Sequence, residues 1–212
     1  MLLSGEGTNF AAIGAAARGG DLPINLVSVM SDRPLARGLE RARALGIPTV
    51  ALPPKSFPDR AAHDRALIGA IDAAGAKLVV LAGYMRIFQP EFIAHYAGRL
   101  LNIHPSLLPA YRGLDTHARA LADGVAWHGC TVHFVTDELD GGPLIAQARV
   151  RVREGDTPGS LAVRVHAREH VLYPRVIGWY AAGRLREHGG EVWFDGKALA
   201  APLMLEDTDA PA

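Results

Sequence analysis

Thiols, net charge and long apolar runs are what this sequence is short of. Of its 212 residues only one, Cys130, is cysteine. A single thiol closes no intrachain disulfide and builds no multi-thiolate zinc centre, which suits a reducing compartment and makes the cytoplasm the expected setting. The 22 Lys+Arg are matched by 22 Asp+Glu, so the formal charge is zero. No global field is left to hold a polyphosphate backbone or an anionic bilayer, which argues against nucleic acid and membrane surfaces as principal partners. No apolar run reaches the roughly 18 residues a membrane span needs, and Met1-Leu2-Leu3 runs into Ser4-Gly5 without a basic n-region, so no span and no export signal is expected.

What is present is the composition of a globular protein, 49% hydrophobic and 21% charged. A chain of this length buries roughly 70% of its unfolded surface, which argues against disorder and favours one domain. Apolar, β-branched runs at 24–31, 48–52, 77–83 and 99–105 are each followed by a stretch of helical period. The runs are continuous rather than alternating, as parallel strands covered on both faces require. Helices are expected at 8–18, 35–45, 59–74, 90–97, 114–122 and 158–182, the last opened by Asp156-Thr157-Pro158. After residue 125 the pattern changes. Runs 130–135 and 143–152 flank TDELDGG, a hairpin signal that adds antiparallel strands and makes the sheet mixed. A small hairpin is expected around Asp195-Gly196, and LEDTDAPA at the end is expected to fray.

Four segments could carry chemistry. SGEGTNF, residues 4–10, is a glycine-rich turn between a strand and a helix, which fits either a phosphate cradle or an ordinary tight turn. It lacks the third glycine of a dinucleotide fingerprint and the Gly-Lys-Ser/Thr of a nucleoside triphosphate loop. In LLNIHPSLLPAYRG, residues 100–113, Asn102 and His104 share one face of a strand at its carboxyl end, where open α/β sheets bind ligands. Pro105 keeps His104 extended, and an amide beside an imidazole can stabilise charge in carbonyl chemistry; the alternative is a satisfied core histidine. FVTDELDGGP, residues 134–143, crowds Asp137, Glu138 and Asp140. Such a cluster is either solvated or has a member paired with a cation, and the sharper reading pairs Asp140 with His104 so that the imidazole is cationic. In VHAREHVLYP, residues 165–174, His166, Glu169 and His170 match an inverted zinc-protease string. With nine histidines in the chain this spacing arises by chance, and a carboxylate here could instead accept from a substrate ammonium or hydroxyl.

In order and together, SGEGTNF, VLAGYMRIFQPEF, LLNIHPSLLPAYRG and VTDELDGGP resemble the phosphoribosylglycinamide formyltransferases of the folate-dependent formyltransferase family. The resemblance implies a Rossmann-like α/β fold: a mostly parallel twisted sheet with antiparallel C-terminal strands and helices on both faces. It implies one domain over 1–212, phosphate-binding over about 1–98, folate-binding and catalytic over about 77–184, with the hairpin and tail at 185–212. It implies formyl transfer from 10-formyltetrahydrofolate to the amine of glycinamide ribonucleotide in purine biosynthesis, with both as small-molecule partners, no metal, and a monomer or homodimer.

By the same resemblance Asn102, His104 and Asp140 are the catalytic trio. Gly7, Thr8 and Asn9 hold the 5′-phosphate, and His166, Ala167, Arg168 and Glu169 line the ribonucleotide site, with Glu169 at the substrate's amine end. Arg60, Met85, Arg86, Ile87 and Phe88, with Asn102 and the backbone of Thr136, Asp137, Glu138, Leu139 and Asp140, contact folate. Two departures stand out. Met1 falls inside what the family has as its first strand, and Glu6 stands where the family carries a non-acidic residue beside the phosphate. A carboxylate there repels a dianion unless it points to solvent, which is the expectation for a turn tip.

Formyltransferases acting on tRNA or sugar nucleotides, and the formyltetrahydrofolate hydrolases, share the folate half but carry a further domain for which 212 neutral residues leave no room. A zinc hydrolase and a catalytically silent binder are the readings from other classes.

Overall fold

In the computed structural model, which describes residues 1–205, the chain divides into two compact units, Met1–Asn102 and a second that begins at Ile103. The first unit is βα-alternating: β1 (Leu2–Leu3), α1 (Thr8–Gly19), β2 (Val29–Ser31), α2 (Arg37–Ala44), β3 (Thr49–Ala51), α3 (Arg60–Ala73), β4 (Val79–Leu81), α4 (Pro90–His95) and the start of β5 (Leu100–His104). Its strands lie in the order β3-β2-β1-β4-β5, and every pairing is parallel. Val79, Val80 and Leu81 are all buried, as the continuous apolar run implies. Helix starts follow local chemistry: Asp59 accepts the Ala62 N–H at 2.7 Å to cap α3, and Pro90 occupies the first turn of α4.

The core beneath β1 is Leu3, Phe10, Val29, Ala36, Leu39 and Ala42. Each large member is worth about 1.5–3 kcal/mol of apolar burial. Two glycines let backbone replace side chain here. A Cβ on Gly38 would lie 2.5 Å from a Leu3 methyl carbon, and one on Gly7 would lie 2.7 Å from the Gly38 Cα, so the turn after β1 sits directly on the start of α2. The strand expected at 24–31 is confined to Val29–Ser31. Its partner β3 offers only three residues, and upstream the Ile24 N–H turns back to the Leu22 carbonyl at 2.8 Å.

The second unit contains α5 (Thr116–Ala122), β6 (Trp127–Phe134), β7 (Leu144–Arg151), α6 (Pro158–Ala181), β8 (Leu185–His188), β9 (Glu191–Phe194), β10 (Lys197–Ala198) and β11 (Leu203–Leu205). Strands β6 and β7 form the expected antiparallel hairpin, with a register shift between Val132 and His133. α6 begins with a reciprocal cap, Thr157 Oγ1 accepting from the Ser160 N–H at 3.1 Å and Ser160 Oγ from the Thr157 N–H at 3.0 Å. Its buried stripe includes Leu161, Val165, Leu172, Tyr173, Val176 and Ile177.

The turn at Asp195-Gly196 joins β9 to β10 as expected, and β8 adds a third antiparallel strand. The expected fraying is corrected at its first residue: Leu205 belongs to β11, which pairs in parallel with β7 and whose terminal carbonyl accepts from Arg168 Nη2 at 3.1 Å. Residues 206–212 of that expectation lie outside the described residues. No helix among the described residues is long and apolar enough to cross a membrane.

Candidate active site

In the first unit, the turn after β1 delivers Gly7 in the left-handed region, φ 70°, as the residue that precedes α1. Thr8 and the buried Asn9 open the helix, which has no side-chain cap, so its first N–H groups are of the kind that take an anion. Glu6 is 59% exposed at the turn tip and is paired with Arg37 at 3.2 Å, while its carbonyl accepts from Arg41 Nε at 3.0 Å. The carboxylate therefore has its own cation.

The segment after β4 is tied to the same turn. Ser4 Oγ accepts from the Met85 N–H at 3.0 Å and donates to the buried Asp32 at 2.5 Å. At the far end, Asp64 Oδ2 accepts from the Gln89 N–H at 2.8 Å. Phe88 is stacked between Tyr84, 5.3 Å away, and Phe92, 4.0 Å away. With both ends and the aromatic held, the segment leaves Met85 and Ile87 exposed, two apolar side chains available to cover a flat ligand. Arg86 Nε is buried without a hydrogen-bond partner among the described residues. Arg60, exposed, is the first residue of α3.

β5 carries Asn102, the last residue of the first unit, and His104 two positions on. In the second unit, His104 Nδ1 lies 3.4 Å from Asp140 Oδ2, with the His104 side chain buried and Asp140 partly so. His104 Nε2 lies 2.9 Å from the Tyr111 carbonyl oxygen. Both ring nitrogens thus face acceptor atoms, one from the backbone and one from a carboxylate. Asp140 Oδ2 also accepts from the Gly113 N–H at 2.9 Å, and His133 Nε2 is 3.9 Å from Oδ1.

The three acidic neighbours separate as their charge requires. Asp137 is solvated, Glu138 is paired with Arg112, and Asp140 is set against His104. The intervening segment contains a cis Leu108–Pro109 bond. Thr131 Oγ1 donates to the Ser106 carbonyl at 2.7 Å and accepts from the Leu108 N–H at 3.1 Å, and Gln147 Nε2 donates to the Leu108 carbonyl at 2.8 Å.

On α6, His166 and Ala167 are exposed while Arg168 and Glu169 are buried. Arg168 reaches Leu205, so at least one of its donors serves β11. His166 and His170 stack with centroids 6.5 Å apart, and burial followed by the neighbouring His166 lowers the His170 pKa. Burial is also the main cause that lowers His117, and it pushes His128, whose Nε2 is 3.1 Å from His117 Nδ1, down to about 4. No group of three or more His, Cys, Asp or Glu among the described residues is placed to hold a metal ion.

Sequence reasoning covered Tyr111, Arg112 and Gly113 only as the end of the 100–113 segment and gave them no role: the Tyr111 carbonyl and the Gly113 N–H are direct partners of His104 and Asp140. Backbone groups leave no residue-type signal. His133, 3.9 Å from Asp140 Oδ1, was not singled out either.

A model of the formyl transferase family matches residues 1–177. The chain is 51% identical over 199 residues to a phosphoribosylglycinamide formyltransferase from Escherichia coli (strain K12), covering 94% of each. Among solved structures, a phosphoribosylglycinamide formyltransferase from Coxiella burnetii, in complex with CHES, matches with a TM-score of 0.93 at 50% identity over 97% of each chain. A formyltetrahydrofolate deformylase from Pseudomonas syringae pv. tomato matches with a TM-score of 0.84 at 27% identity, over 91% of this chain but 64% of that one. These matches show the expected fold class, a mostly parallel α/β sheet with helices on both faces and antiparallel C-terminal strands.

Proposed function

From the premise that the chain belongs to the formyl transferase family, we propose that it transfers a formyl group from 10-formyltetrahydrofolate to the amine of glycinamide ribonucleotide, a step of purine biosynthesis. The products are formylglycinamide ribonucleotide and tetrahydrofolate. Identity to the ribonucleotide enzymes at 50–51% across nearly the whole chain, against 27% to the deformylase, supports an amine rather than water as acceptor.

The observation that carries the mechanism is the close approach of His104 to Asp140 at the end of β5. The amine attacks the formyl carbon, and the carbonyl electrons move onto oxygen as a tetrahedral oxyanion. The His104 imidazole, oriented by the Tyr111 carbonyl on Nε2 and Asp140 beside Nδ1, supplies an N–H donor to the oxyanion. The Asn102 amide is the second donor. Asp140 orients the imidazole and, directly or through water, takes a proton from the attacking ammonium. The oxyanion then re-forms the carbonyl as the C–N10 bond breaks, and the proton taken up by Asp140 passes to N10 of the folate.

Gly7, Thr8 and Asn9 bind the 5′-phosphate through the start of α1, and His166 to Glu169 serve the ribonucleotide. Arg60, Met85 to Phe88 and the backbone of Thr136 to Asp140 serve the folate. We assign the chain as one formyltransferase domain, acting in the cytoplasm as a monomer or homodimer without a metal.

The test mixes protein, glycinamide ribonucleotide and 10-formyltetrahydrofolate and follows folate release by absorbance. Release that depends on the ribonucleotide is expected. Formate release without it would make the protein a hydrolase, and no release at all would leave it a silent binder.

A further inference from the structure

Three of the five residues from Tyr111 to Asp115 have left-handed backbone, with φ of 58° at Tyr111, 79° at Gly113 and 56° at Asp115. Two of the three are not glycine, a conformation that persists only when surroundings impose it. The segment matters because it supplies the carbonyl on His104 and the N–H on Asp140. One side chain grips its backbone at two carbonyls. Arg119, in the second turn of α5, donates from Nη1 to the carbonyls of Arg112 at 2.7 Å and Leu114 at 3.3 Å, and its guanidinium lies 5.5 Å from the Tyr111 ring centroid.

The Arg112 carbonyl and the Gly113 N–H belong to the same peptide plane and point in opposite directions. Arg119 holds the oxygen side of that plane, and Asp140 Oδ2 takes the nitrogen side. Rotation of the plane would withdraw the donor from Asp140 and turn a carbonyl oxygen towards the carboxylate that faces His104. The Arg112–Glu138 ion pair and the hydrogen bond from Tyr111 OH to Asp123 at 2.9 Å tie down the flanks but do not touch this peptide's oxygen.

We infer that Arg119 is a positioning residue for formyl transfer, pinning the Arg112–Gly113 peptide so that its N–H stays on Asp140 and the His104–Asp140 geometry is kept. The inference rests on the formyl-transfer reading above. Arg119 is itself exposed and adds nothing to the apolar core, so its removal is felt in turnover before it is felt in stability.

The experiment measures steady-state kinetics and thermal midpoints for the wild type, Arg119→Ala and Arg119→Lys. For Arg119→Ala, kcat falls about 10- to 100-fold, the size that small misplacement of reacting groups carries. Its KM for ribonucleotide and folate and its thermal midpoint stay close to wild type, and Arg119→Lys, which can still donate to both carbonyls, recovers most of the rate. If Arg119→Ala does not fold, Arg119→Gln is measured in its place against the same expectations. Wild-type kcat in the truncated variant, a loss confined to KM, or a lysine variant no better than alanine would each overturn the inference. A wild type inactive in this assay would instead count against the formyl-transfer reading.

Discussion

Gly142 and Phe134 meet backbone to backbone: a Cβ on Gly142 would lie 1.9 Å from the Phe134 carbonyl oxygen. The return of the loop that carries Asp140, itself at φ 49°, depends on that closeness. The carbonyl belongs to β6 and cannot step aside as a side chain could. Gly142→Ala is therefore expected to displace Asp140, costing about 1–3 kcal/mol of stability by overpacking. Turnover is expected to fall at least tenfold, through misplacement of the Asp140 carboxylate. Denaturant unfolding and the formyl-transfer assay measure the two effects, and a variant with wild-type turnover would show that the loop has another way to close.

His104→Ala removes the donor on which the oxyanion depends and the ring that faces Asp140. Turnover is expected to fall more than ~100-fold with the fold retained. Circular dichroism establishes the fold and the absorbance assay the rate. A near-native rate would remove His104 from the chemistry.

Glu6 is spent on Arg37, and at 59% exposure the pair is a solvent-screened one. Glu6→Asn should accordingly change the KM for the ribonucleotide by no more than about threefold, the worth of a surface ion pair. A much larger gain in affinity would mean that the carboxylate faces the phosphate after all.

Stability should fall with acid in a defined window. Burial, and then the neighbouring His117, pushes His128 in the folded protein down to about 4 from an ordinary 6.5. Above pH 6.5 the folded and unfolded forms both carry a neutral ring, so this group adds no pH dependence. Between 6.5 and 4 the unfolded chain takes up a proton that the folded protein refuses, so stability is lost as pH falls through that range. His117, His133 and His170, lowered chiefly by burial, act in the same direction. Unfolding midpoints measured from pH 7.5 to 4 should drop, and His128→Gln should flatten the drop. An unchanged slope in that variant would assign the acid sensitivity to other groups.

Local pattern carried most of the architecture. Among the described residues the six α-helices fall where helical period and punctuation place them, and Pro158 after Thr157 marks the start of α6 to the residue. The β6–β7 hairpin was legible because Asp-Gly separates two apolar runs. Strands β8 and β11 were not. Their residues have no periodicity that distinguishes them from a tail, and they become strands because β9 and β7 offer edges to pair with.

The site divides in the same way. Asn102, His104 and Asp140 could be named from sequence because their residue types and spacing carry the chemistry, and proline and glycine mark the loops around them. The Tyr111 carbonyl, the Gly113 N–H and the grip of Arg119 on the peptide between them could not be named. Every residue has a carbonyl, nearly every residue has an N–H, and left-handed backbone at Tyr111 and Asp115 runs against what those residues prefer locally. Residue types, the βα alternation and the charge balance that leaves recognition to local groups are readable from the chain alone. Which backbone atoms meet His104 and Asp140 is set by the folded state, because the Gly113 contact to Asp140 spans 27 residues and the shorter Tyr111 contact to His104 depends on left-handed backbone that Tyr111 does not favour locally.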